Sequence, residues 1–261
     1  MSNMSEDIFA LTCISNREVV DEIRSKFLTE INNNNDLYHE IDVERVMTED
    51  WQIERFVLTY KSKDEAFEKL IKALQWKKSF GVHDRDHTYF PKELLLIAGY
   101  EKFSRDRDGR VVKWGIGKHY KKISEFNTLF QQFFVYTFES LDRASGNKGF
   151  VSVNGNEGTG LSNTDMTMVH FVLEIIKYYP LIMNKTINVD MPWILNGLYK
   201  IVKNLMPKSF QDSMIIIKRE QLTHYLDVHE IPITFGGKRD TCYDLIDKMQ
   251  SLRDLKHLVV P

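Results

Sequence analysis

The sequence predicts an α/β fold with a helical N-terminal extension. Three observations carry this expectation. Up to about residue 90 the apolar residues recur at helical spacing. Beyond about residue 110, β-rich runs alternate with helix-length runs as strand–helix–strand–helix–strand, which requires parallel pairing through right-handed crossovers. The chain of 261 residues is 43% hydrophobic and 28% charged, enough apolar material for one large core or two smaller ones.

In the N-terminal part, Val19 to Ile31 and Ile41 to Tyr60 carry less regular helical patterns, separated by the polar run Asn32 to Asn35. Ser62 with Glu65 three residues on is spaced as a capping box. Phe67, Leu70, Ile71 and Leu74 then share one face, with Lys69, Lys72 and Lys77 largely off it, and Gly81 is a natural stop. In the second part, Asp108-Gly109 marks a turn, and Val112, Trp114 and Ile116 alternate as in a half-buried strand. Lys122 to Arg143 is helix-like and rich in phenylalanine (Phe130, Phe133, Phe134, Phe138). Phe150 to Val153 reads as a strand, and Ser162 to Tyr179 as a helix opened by Ser162/Asp165 and stopped before Pro180. Thr186 to Asp190 is strand-like, Trp193 to Met206 a helix between Pro192 and Pro207, and Met214 to Ile217 an apolar strand.

The helix before Pro207 has an unusual distribution. Ile194, Leu195, Leu198, Tyr199, Ile201, Val202, Leu205 and Met206 cover an arc of roughly 160°, with Asn196, Lys200, Lys203, Asn204 and Trp193 on the other side. This arc fits a crossover helix packed on a sheet. The sharper reading is a movable lid over an apolar cavity that also touches a membrane. Periodicity does not separate the two.

Composition excludes several classes. With 35 Lys+Arg against 37 Asp+Glu the net charge is −2, which argues against general affinity for a nucleic-acid backbone. Two cysteines, Cys13 and Cys242, make no disulfide framework and fit reduced thiols in a cytosol. Met1 to Asp7 lacks the apolar core of a secretory signal. No run reaches the roughly 18 apolar residues of a membrane span; the longest candidate, Phe171 to Met183, is interrupted by Glu174, Lys177 and Pro180.

Catalytic and metal motifs are weak. The loop Gly155 to Gly160 lies between a strand and a helix, but lacks both the GxGxxG spacing and a P-loop lysine, and Glu157 would repel a phosphate. It reads as a glycine-rich turn. His83-Asp84-Arg85-Asp86-His87 falls between Gly81 and Pro91 with a cation in its middle, so it reads as a solvated loop and not as a metal cluster. His170 reads as a packing residue in an apolar helix, and no GxSxG elbow occurs.

Tyr178-Tyr179-Pro180, then Asn188 to Trp193 (Asn-Val-Asp-Met-Pro-Trp), then Ile231 to Gly237 (Ile-Pro-Ile-Thr-Phe-Gly-Gly) stand in an order that resembles the CRAL-TRIO lipid-binding domain family. Asp106 to Val112 looks like that family's Asp-x-x-Gly-Arg-x-Val hairpin. Arg55-Phe56 and Ala66 to Lys78 look like its preceding three-helix segment. Each motif is weak alone; five in order, over about residues 50 to 240, are specific. Within the family, Asp190 to Trp193 and Tyr199 to Lys203 resemble the N-terminal domain of the motile sperm domain-containing proteins, which tether membranes.

The resemblance implies an apolar ligand cavity under a gate helix, one bound lipid or other hydrophobic ligand, no cofactor and no enzymatic step. It places the cavity wall at Trp114, Ile116, Val151, Val153, Ile187 and Val189, and the gate at Ile194, Leu198, Ile201, Val202 and Leu205. Trp193, Lys200 and Lys203 would meet a membrane surface transiently. The expected division is a helical region at 1–90, the lipid-binding domain at 91–240 and a helical tail at 241–261. The expected location is cytoplasmic and peripherally membrane-associated, at the endoplasmic reticulum if the tethering resemblance holds, with further domains or protein partners. Phosphatidylinositol-transferring members carry Glu-Arg after the Tyr-Pro and a lysine after the gate helix. This chain has Leu181 and Ile182, and Asp212 and Ser213, at those places. The Ser/Thr pair of phosphatidylcholine-binding members falls by sequence on Gly149 and Val151. These departures motivate a rival expectation, a tethering domain that keeps the fold without transferring lipid. A nucleotide-dependent enzyme using residues 155–160 is the third.

Overall fold

The computed structural model describes residues 17–94 and 100–240. They form two compact units. One takes the chain up to Asp84 together with Glu174–Leu181, and the other takes Arg85–Leu173 and the chain from Ile182 onward. Both cysteines, the first seven residues and the tail at 241–261 lie outside the described residues.

The first unit is built on α1 (Arg17–Asn34), α2 (Glu40–Thr48), α3 (Trp51–Val57) and α4 (Lys63–Phe80). The pattern from Ile41 to Tyr60 is two helices, because Glu49 leaves the helical region at φ −112°, ψ 106°. Its carboxylate there accepts from Arg45 and Gln52. The cap of α4 forms as its sequence requires: Ser62 Oγ accepts from the Glu65 N–H at 3.2 Å, and Gly81 closes the helix at φ +70°. Ile23, Phe27, Ile53, Phe56, Leu70 and Leu74 form its core. The returning segment Glu174–Leu181 was expected in the sheet domain, but its aromatic side chains have their partners in this unit. Tyr178 stacks on Trp76 with ring centroids 4.5 Å apart, the Lys77 ammonium sits 4.8 Å from the Tyr179 ring centre, and Arg55 Nε donates to the Pro180 carbonyl at 2.7 Å. His83 is not solvated as its loop predicts. Its Nε2 lies 2.8 Å from the buried Asp42 carboxylate, which also holds Lys77 at 3.3 Å.

The second unit is a five-stranded sheet in the order β1-β2-β3-β4-β5: Tyr100–Arg105, Val111–Ile116, Phe150–Gly155, Met183–Val189 and Met214–Ile217. β1 pairs with β2 antiparallel, and every other pair is parallel. The β1–β2 turn is held by Asp106, whose carboxylate accepts from the N–H groups of Asp108 and Arg110, with Gly109 at φ +75°. Crossovers are made by α5 (Asn127–Ser145), α6 (Met166–Ile175) and α7 (Asn196–Leu205), with α8 (Lys208–Ser213) before β5. α6 begins four residues later than Ser162 because Asp165 accepts from the Thr167 N–H at 2.9 Å and is the true cap. His170 is exposed on α6, not packed. Among the described residues no helix is long and apolar enough to cross a membrane.

The two faces of this sheet differ in chemistry. Val112, Trp114, Val151, Val153, Ile187 and Val189 point to one face, where Leu222, Leu226, Ile231 and Phe235 cover them. Strand side chains alternate, so Lys113, Gly115, Ser152, Asn154, Thr186 and Asn188 point to the other.

Candidate functional site

The polar face of the sheet floors a cavity of about 460 Å³, within the size range of small-molecule sites at about 300–1,000 Å³. Helices supply its apolar coat. Phe130, Phe133, Phe134, Thr137, Phe138 and Leu141 recur along α5 at i, i+3, i+4, i+7, i+8 and i+11, and Met168, Val169 and Val172 of α6 continue the lining. Leu195, Leu198, Tyr199, Val202 and Met206 close the side formed by α7. The cavity therefore lies between a polar floor and a hydrocarbon shell.

This arrangement corrects the expected wall. Trp114, Val151, Val153, Ile187 and Val189 do not line the cavity; they are buried on the back face. The cause is the segment after β5, which packs on that face and needs an apolar partner there. The Trp114 indole lies 4.7 Å from the Phe235 ring and donates to Ser104 Oγ at 2.8 Å. Ile116, at the strand end, packs against that core and also borders the cavity.

The gate residues divide. Leu198 and Val202 line the cavity. Ile194, Ile201 and Leu205 face solvent with 46%, 58% and 56% of their surface exposed, and Trp193 is 82% exposed. No residue of α7 is fully buried. Lys200 is exposed, whereas Lys203 turns back and donates to the Met214 carbonyl at 3.3 Å. The phenylalanine face of α5 is the part of the site that the expected residues left out, although the density of Phe from 130 to 138 marked it in the sequence.

Two charged groups border the cavity among the described residues, Lys113 and Asp165. Burial raises the Asp165 carboxyl, but hydrogen bonds from Tyr120 (3.0 Å) and Lys122 outweigh it, and the group sits below the ordinary carboxylate range. Burial lowers the Lys113 ammonium to about 8. Burial likewise raises the Tyr199 phenol.

The glycine-rich loop is a turn. The Thr159 N–H donates to the Asn156 carbonyl, Gly158 takes φ +70°, and the Glu157 carboxylate pairs with Arg219, which also holds Asp190. Thr159 Oγ1 is buried on the cavity side with no hydrogen-bond partner among the described residues.

A family model described as the CRAL/TRIO domain matches residues 102–237, just over half of the sequence and all five strands but the start of β1. The chain belongs to the CRAL/TRIO family. The solved structure of Sfh5 has the same fold, with a TM-score of 0.61 and 14% identity over 94% of this chain and 97% of that one. The fold of this CRAL/TRIO domain is a lipid-binding one, and its helical N-terminus, mainly parallel sheet and crossover helices are those the sequence predicts.

Proposed function

We propose that this CRAL/TRIO chain is a non-enzymatic lipid carrier that loads at a membrane through α7. The observation that carries the reading is the division of that helix into two apolar faces. Leu198, Tyr199 and Val202 turn to the cavity while Ile194, Ile201 and Leu205 are bare. A wall that packs on one side only has little holding it closed. A cavity lined by Phe, Leu, Val and Met shields an acyl chain at about 0.8 kcal/mol per CH₂ removed from water. Trp193 beside Ile194 and Lys200 has the amphipathic make-up of an interfacial helix, and a lysine near anionic headgroups contributes about 1 kcal/mol. The reading implies a cytoplasmic protein peripheral to membranes. The likeness of Asp190 to Trp193 to the motile sperm domain-containing proteins adds the endoplasmic reticulum as the expected membrane.

Native mass spectrometry of protein purified from cells should show one co-purified lipid per chain; protein that is always lipid-free would overturn the carrier reading. Transfer of a labelled lipid between liposomes separates carrying from tethering. Binding to both vesicle populations without exchange would make this a tethering domain.

A further inference from the structure

We propose that a second pocket, on the back of the sheet, binds a phosphomonoester through Lys185 and Arg107, taken either from a soluble phosphate ester or from a phosphorylated headgroup at a membrane. The pocket shares no lining residue with the Phe-lined cavity, and the assignment does not depend on the carrier reading. It encloses about 210 Å³ where the β1–β2 turn, the start of β4 and the segment around His224 and Tyr225 meet. That is below the about 300–1,000 Å³ of sites for whole small molecules, so the space suits a headgroup and not a lipid. Its base is apolar, formed by Val151, Ile187 and Leu226, and its charged groups stand around the mouth.

Lys185 is out of keeping with its strand position. The register sets it opposite Val151 and two residues before Ile187, on the face that the back core covers. Its ammonium lies 5.0 Å from the centre of the Tyr225 ring, a contact that leaves its N–H groups without an oxygen acceptor. Arg107 is held in place by donating to the Thr223 carbonyl at 2.7 Å, with the rest of its guanidinium fork unused. Two carboxylates also border the pocket, Asp106 and Asp108, and both pair with Arg110. Asp106 is further occupied by the N–H groups of the turn. Among the described residues no carboxylate pairs with Arg107 or Lys185. Two fixed cations at one mouth call for two negative charges. A phosphomonoester carries about two at neutral pH and offers three acceptor oxygens, whereas a carboxylate or a phosphodiester carries one. Asn184 and His224 complete the lining on the same side and supply further donors.

The test has a soluble arm and a membrane arm, both on the full chain. Calorimetric titration compares glycerol 3-phosphate and inorganic phosphate with acetate. Flotation compares phosphatidylcholine vesicles containing phosphatidic acid, a phosphomonoester, with vesicles containing phosphatidylglycerol, a phosphodiester. In at least one arm the phosphomonoester is expected to bind at least about tenfold tighter than its singly charged counterpart. Lys185→Met and Arg107→Gln should each remove that preference; Arg107 is exposed, so its variant keeps the fold if the other does not. A preference for phosphatidic acid vesicles that both substitutions remove assigns a lipid headgroup. A preference for glycerol 3-phosphate that they remove, with flotation unchanged, assigns a soluble ester. Equal binding of acetate and phosphates together with equal flotation, or a preference that survives both substitutions, overturns the site. Lipid co-purifying with Lys185→Met reads the carrier reading separately, so the failure of one is not the failure of the other.

Discussion

At Gly237 a β-carbon would stand 2.0 Å from the Ile231 carbonyl oxygen, and Gly236 before it takes φ +84°. Gly155 is similarly confined, since its β-carbon would meet the Phe235 ring at 2.8 Å. The Phe-Gly-Gly turn is therefore a clasp on the back of the sheet. Gly237→Ala should cost more than about 2 kcal/mol, read by denaturant unfolding, because the obstacle is backbone and does not move aside. Lys113 gives a second residue-scale expectation. Its pKa is lowered from 10.5 to about 8 in the folded chain, so the unfolded chain binds more protons between those values. Stability then rises with pH across that window, and the penalty of burying the ammonium is fully present below it. The melting temperature of the parent chain relative to Lys113→Met should climb from pH 8 to pH 10; a constant difference contradicts this. The same residue shows where sequence reading stopped. The strands between 111 and 189 were legible, but which face bordered the cavity was not. Apolar Val151 and Val153 were natural candidates for an apolar cavity, yet the covering segment at 219–239 claims them. Period-two alternation makes a wrong choice of face exchange every side chain at once.

At the scale of elements, α7 states the problem differently. Its apolar arc of roughly 160° was legible, and an arc so wide exceeds what one packing surface needs. What periodicity did not contain was how the arc is shared, since that depends on where the sheet and α5 lie. Substituting the bare half tests the membrane role without touching the cavity. Ile201→Asp and Leu205→Asp should each weaken liposome flotation by about tenfold or more. Both should leave folding stability within about 0.5 kcal/mol of the parent, because the sites are exposed. Unchanged flotation would move the membrane contact elsewhere. On α5, by contrast, the recurrence of Phe130, Phe134 and Phe138 at i, i+4 and i+8 was visible as a run, but its meaning needed the polar floor opposite.

At the scale of the whole molecule, the family match and the order of the strands follow from motifs that are dispersed along the chain but meet in space. Arg55 and the Tyr179-Pro180 pair are one instance: 125 residues apart, they are joined by a 2.7 Å hydrogen bond. A fragment ending at residue 90 should therefore unfold at lower denaturant than the intact chain's first unit, and adding a peptide of residues 174–181 should partly restore it and quench Trp76. That Trp76 stacks on Tyr178 also has a temporal side. Synthesis at about 5–20 residues per second leaves the indole on the ribosome-bound chain for roughly 5–20 s before its partner exists. The first helices to be made are thus completed only when the segment at 174–181 emerges, and until then the nascent chain carries an unfinished aromatic surface.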